Sequence, residues 1–242
     1  MLVGRSGVRA CPRPFCRSLA SYPPKVYAYP FAVSPAEAIQ QLSPVVGGRS
    51  TFQSLFNSGS QKPKQIVPVY FPAWFIDAEV EATVTVSTDR GTEDGRVTAV
   101  FTNSYIPGHT WDKLSSMSLL SPQLADSKAV PFSSDMETQH GSKITCLPFQ
   151  TSPFSVLDAV KSLRPADCVH GNLRLDPLSI STNLISAYPV LIPLYLAKYQ
   201  YKVKDDDNSV PVSQTAVMEA HHMTGRIIVE NIQLIQQMAP PR

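Results

Sequence analysis

Four side chains in the second half of the chain could hold a metal ion. His140, Cys146, Cys168 and His170 supply two imidazoles and two thiols, donors of the kind that zinc takes in sets of four. No CxxC pair is present, so such a site would have to be assembled in space rather than along the chain. The competing reading makes the cysteines small buried hydrophobes and leaves the histidines in loops. Of the other histidines, His221 and His222 are adjacent. On a strand they would point to opposite faces, so at most one could join a site.

Two further groups have the types and spacing for chemistry. Asp77, Glu79 and Glu81 alternate along one segment, which on a strand sets their side chains on one face roughly 7 Å apart. Paired carboxylates can move protons or hold a divalent cation, and on a wet sheet face they can simply keep a protein in solution. The aromatic cluster of Tyr70, Phe71, Trp74 and Phe75 could line an apolar pocket or partner groove, with Tyr70, Trp74 and Phe75 as the candidate ligand-binding residues, or pack into a core. Gly47-Gly48-Arg49-Ser50-Thr51 has the glycines of a phosphate loop but neither its spacing nor its lysine, and no G-x-S-x-G elbow occurs. No cofactor is expected.

The elements that must position these residues are mostly strands. Proline is abundant (22) and glycine scarce (11), which argues against long helices and for strands with irregular connections. Ser34-Pro35-Ala36-Glu37 is a helix start with a capping box, and the helix is expected to end at Pro44 and Gly47-Gly48. Residues 47–64 read as a mobile loop. From Ile76 to Val86 every even position is apolar and every odd one polar, the mark of a strand with one buried face. A turn over Asp89–Gly95 and a return strand over Val97–Thr102 complete a hairpin. Ser152 opens a second short helix whose apolar face is Phe154, Leu157, Val160 and Leu163. A long strand over Val190–Val203 returns through a charged tip at residues 204–209 into Val212–Ala220, and the tail is a strand with a helical end. The expected architecture is α+β: one domain, mainly an antiparallel sheet with two or three short helices, over residues 22–242.

Charge distribution points to a location. Arg5, Arg9, Arg13 and Arg17 precede the first acidic residue, Glu37. Residues 1–21 therefore have the arginine-rich, acid-free composition of a mitochondrial presequence, with a destination in the matrix. Without those four arginines, 17 basic face 19 acidic side chains, so no basic excess supports nucleic-acid binding. The apolar run Ala187–Ala197 is about half the roughly 20 residues a membrane span needs and holds two prolines. It reads as a buried strand, and no transmembrane segment is expected.

Three stretches resemble a known pattern: Tyr29-Pro30-Phe31 leading into the Ser34 helix, Val69–Ala78, and Pro193–Tyr199. Their order is similar to the strand-rich C-terminal domain of bacterial proteins that carry an N-terminal zinc ribbon. The resemblance implies a fold rather than an activity, because no cysteine ribbon precedes the domain here. With the presequence, these features lead to an expected non-catalytic mitochondrial protein. It would aid the assembly or scaffolding of a larger complex, with protein partners at the inner-membrane face. The alternative is an enzyme or small-ligand binder with a pocket on the sheet.

Overall fold

The computed structural model describes residues 25–48, 62–119, 128–205 and 208–230. The proposed presequence, most of the 47–64 loop and the tail beyond Glu230 lie outside them. In chain order the elements are β1 (Tyr27–Ala28), α1 (Pro35–Gly48), β2 (Gln65–Thr88), β3 (Gly91–Pro107), α2 (Asp112–Ser115) and β4 (Val130–Pro131). There follow β5 (Thr138–Gln139), β6 (Ser142–Lys143), β7 (Thr145–Cys146), α3 (Ser155–Lys161), β8 (Val169–His170) and β9 (Leu173–Leu175). The last described elements are β10 (Ser181–Asp205), β11 (Asn208–Glu219) and β12 (Ile227–Glu230). Among the described residues no helix is long and apolar enough to cross a membrane.

The fold is strand-rich, and its main sheet is mixed rather than purely antiparallel. The path runs β12-β11-β10-β2-β9-β8, with β3 on β2. The long strands pair antiparallel, while β1 runs parallel to β10 and β7 parallel to β2. Sequence reading missed the short parallel pieces because two-residue strands have no periodicity to detect.

Prolines do not shorten the two central strands. Pro68 and Pro72 lie inside β2, Pro189 and Pro193 inside β10. The Pro72 carbonyl accepts from Gly108 N–H (2.8 Å) and the Pro193 carbonyl from Ala220 N–H (2.9 Å), both away from the β2–β10 ladder. A strand residue's N–H and C=O point to the same side, so the missing proline N–H falls outside that ladder. Alternation puts Pro68 and Pro189 in the same relation. All four prolines thus spare the longest strand pairing among the described residues.

Residues 190–199 of β10 are buried on both faces. One face carries Leu191, Tyr195, Ala197 and Tyr199 with Tyr70, Phe31 and Leu42. The other carries Ile192, Leu194 and Leu196 with Phe71, Trp111 and Leu119. In α1 the capping box forms as read: Ser34 N–H donates to Glu37 Oε2 (2.8 Å), and Glu37 N–H to Ser34 Oγ (3.3 Å). The Ser34 hydroxyl, which donates to Glu37 Oε2 (2.7 Å), and then the Ser34 N–H hold the Glu37 carboxyl below its ordinary range. The helix runs through Pro44 and ends at Gly48, so the expected glycine end is present and the proline does not stop it.

The expected hairpin is present, with a tighter turn than expected. Only Asp89 and Arg90 separate β2 from β3, and Gly91 takes φ +128°. Ile76, Ala78, Ala82 and Val84 are buried as the alternation requires. The structure adds bulges on both sides of β2. Thr102 and Asn103 lie opposite Asp77, and Asn183 is the extra residue beside Glu79. Asn103 sits at φ +50° and donates its N–H to Asp77 Oδ1 (2.8 Å), while Asn183 Nδ2 donates to Glu79 Oε1 (3.0 Å). The Asp77 carboxylate thus replaces a ladder bond that its bulge breaks, and Glu79 holds the side chain of the other bulge residue. Asp77→Ala should therefore destabilise the protein by about 1 kcal/mol in urea unfolding, with Asp77→Asn recovering part of the loss.

The second helix differs from expectation. It spans only Ser155–Lys161, and Phe154 and Leu163, read as its apolar face, are 50% and 47% exposed. Ser152 Oγ accepts from Phe154 N–H (3.3 Å) one turn early, so the serine shapes the preceding turn rather than capping the helix.

Candidate functional site

The four proposed metal donors are not brought together. Cys146 in β7 pairs with Tyr70 of β2. In the β5–β6 turn, His140 takes φ +50° and its Nε2 lies 3.0 Å from the Phe31 carbonyl. Cys168 and His170 belong to the far end, where β8 and β9 lie beside Val84–Val86. Fourteen residues of β2 separate the two ends, roughly 45 Å. Among the described residues no three His, Cys, Asp or Glu side chains are grouped to hold a metal ion. Both described cysteines are half-buried rather than fully buried.

The aromatic trio is split between faces. Tyr70 is fully buried, packed edge-on to Phe31 and Phe132 (centroids 5.3 and 5.9 Å), and its hydroxyl accepts from Gln139 Nε2 (2.8 Å). Burial pushes its phenol pKa well above the ordinary value. Trp74 lies on the same face, with Nε1 donating to the Thr151 carbonyl (2.9 Å) and its ring 4.7 Å from Phe149. Phe75 points the other way, into a small cluster with Tyr29 and Val190. These residues are core and anchor, and they do not line one pocket.

Sequence reasoning missed a buried polar cluster where the end of β3 meets the β11–β12 turn. Glu219 is 1% exposed, and its Oε1 receives Arg226 Nη2 at 2.6 Å. The same guanidinium donates to the Ser118 carbonyl, tying the segment after α2 to this turn. Glu219 N–H donates to the Arg226 carbonyl (2.9 Å), so backbone and side chain close the turn twice. Tyr105 stands beside the pair. Burial first, then the nearby Glu219 charge, hold its phenol well above the ordinary pKa, with Arg226 opposing. His221 is 5% exposed, 6.2 Å from the Tyr29 ring, with its pKa pushed down to about 4 by burial, then by His222 and Arg226. Near neutral pH the imidazole is uncharged and the phenol protonated, so the cluster works as a fixed latch. His221 and His222 lie in this turn, not on a strand as expected. The one signal available was an acidic residue at the end of an apolar return strand, seven positions before an arginine.

His109 is likewise structural. Its Nδ1 accepts from Trp111 N–H (2.9 Å), the ring lies near Phe71 and Trp111, and burial lowers its pKa.

The distal half of the β2–β3 hairpin contributes nothing to the three core clusters beyond Phe75. Exposed apolar side chains lie on and beside it. Glu79 pairs with Val100 on one side and Leu184 on the other, and Phe75 pairs with Tyr188. Val100, Leu184 and Tyr188 therefore share one sheet face, and they are 69%, 59% and 49% exposed. Nearby, Glu81, Thr83, Arg96, Ser179 and Ser181 line a shallow polar recess. Compared with known proteins, the chain matches no family model, no curated protein and no solved structure.

Proposed function

We propose that this chain is a non-catalytic mitochondrial protein that helps assemble or scaffold a larger complex, docking a protein partner on the distal sheet face. The observation that carries the reading is the row of exposed apolar side chains Val100, Leu184 and Tyr188. Val100 and Leu184 flank the half-buried Glu79 from neighbouring strands, each roughly 5 Å from its own, and Tyr188 lies on the same face beside Phe75. Large apolar groups side by side on a rigid sheet mark an interaction surface more readily than scattered ones do. A carboxylate between them favours a partner that sets one basic side chain among apolar ones. The location rests on the four arginines before Lys25 and on their acid-free surroundings. The alternative of a metal- or thiol-based site loses support from the roughly 45 Å between its two halves.

The reading is tested by purifying the tagged chain and a Val100→Glu/Leu184→Glu variant from gently lysed mitochondria. The same partner should accompany the wild type and fall by about tenfold with the variant, while circular dichroism stays unchanged. Recovery of the wild type as a free monomer, or cytosolic residence of a reporter fused to the segment before Lys25, counts against it.

A further inference from the structure

We infer that the outer edge of β3 pairs with the same edge of a second copy of this chain, forming a two-fold dimer with one continuous sheet. The inference goes beyond the proposed function and uses the strand edge, not the sheet face. Among the described residues β3 pairs with β2 alone. Residues 91–98 are all exposed. The straight edge runs from Gly91 to Phe101, between the Asp89-Arg90 turn and the bulge at Thr102–Asn103.

Hydrogen bonds fix which residues offer their backbone outward. Thr83 N–H donates to Ser179 Oγ and Thr83 C=O accepts from Asp176 N–H. Ser87 N–H donates to the Asn172 carbonyl, and Asn172 Nδ2 donates back to the Ser87 carbonyl. These odd residues of β2 therefore face β9, and its even residues face β3. Their partners Glu93, Gly95, Val97 and Ala99 are satisfied by β2. Thr92, Asp94, Arg96, Thr98 and Val100 must then point N–H and C=O away from it.

An antiparallel pair needs outward residues opposite outward residues. That restricts a two-fold axis to positions on a residue. Centring on Asp94 or Arg96 would oppose like charges, which is destabilising on a sheet. Centring on Val97 keeps an overlap of equal length but sets Asp94 against Val100 and Arg96 against Thr98, so neither charge meets an opposite one, and centring further along runs the overlap into the bulge. Centring on Gly95 sets Asp94 of each copy against Arg96 of the other, twice, and Thr92 against Thr98. It forms about eight backbone hydrogen bonds between closely spaced pairs. Both charged side chains lie on the same face, opposite Thr85 and Thr83 of β2. Asp94 already accepts from Thr85 Oγ1 (2.6 Å), which fixes its carboxylate toward that face.

The test measures association of the full chain by sedimentation velocity for wild type, Arg96→Asp, Asp94→Arg and an equimolar mixture of the two variants. Wild type should self-associate, and each variant alone should do so at least about tenfold more weakly. The mixture should regain association, because every facing pair is then oppositely charged. Regained association also shows that both variants fold. A wild type that stays monomeric, a single variant that associates as tightly as wild type, or a mixture that stays monomeric while wild type dimerises would each overturn the inference.

Discussion

Gly225→Ala is expected to lower stability by about 3 kcal/mol or more, toward the top of the range for single substitutions. A Cβ built on Gly225 would lie 1.6 Å from the Glu219 carbonyl oxygen and 2.8 Å from its carbonyl carbon. Both are backbone atoms at the end of β11, so no rotamer change can relieve the collision. The turn itself would have to open. That would break the Glu219 N–H to Arg226 carbonyl bond and move the guanidinium that bridges Glu219 and Ser118. The carboxylate left behind is 1% exposed, and a buried charge deprived of its partner is among the costliest defects a fold can carry. The loss should show as a lower urea midpoint at unchanged slope. Thr224→Ala, one residue away and exposed, should change stability by less than about 0.5 kcal/mol. Equal effects from the two substitutions would sink the steric argument.

That turn illustrates what a sequence of this kind reveals. The hairpin β2–β3 was legible because a strand's period of two is explicit from Ile76 to Val86. The α1 start was legible because its capping box is purely local. The lengths of β2 and β10 were not, since proline reads as a breaker until one knows which side of the strand its nitrogen faces. Pro72 and Pro193 show that side only through Gly108 and Ala220, far away in sequence. The bulges were hidden for a related reason. Asp77 and Glu79 look like ordinary wet-face carboxylates, and their task emerges only when Asn103 and Asn183 come into register across two different strands.

The proposed sites fared less well, for a physical reason. Residue type suggests what a group can do, whereas convergence is a property of the topology. Cys146 and Cys168 are close enough in sequence to suggest one site, yet they attach to opposite ends of a 24-residue strand. Tyr70, Trp74 and Phe75 are close in sequence on that strand, but its alternation divides them. Conversely, Tyr105 and Glu219 are separated by more than a hundred positions and meet in a buried cluster. Arg226 joins them because the β11–β12 turn carries it back onto the end of its own strand.

The stability of this cluster should depend on pH through His221. Its folded pKa of about 4 lies below the ordinary 6.5, so between those values the unfolded chain binds a proton that the folded chain refuses. Stability from this group is therefore fully present above about pH 6.5 and falls as pH drops toward 4, by up to about 3 kcal/mol. Burial is the leading cause. His222 and Arg226 add repulsion, and the Glu219 carboxylate nearby is already engaged by Arg226. Tyr29, whose own phenol is raised by burial, stays protonated across the window and contributes nothing to the slope. Chemical unfolding at closely spaced pH values should show the loss in wild type and a much shallower one in His221→Gln. The glutamine keeps a polar side chain without a titrating group. Carboxylates such as Glu37, with a lowered pKa, lose their contribution at the acidic end of the range in both proteins, so the difference between the two curves isolates the imidazole. Parallel curves would mean that His221 accepts a proton in the folded state as readily as in the unfolded chain. The turn would then be open enough to hydrate it, and the latch assigned to Glu219 and Arg226 would not be closed in solution.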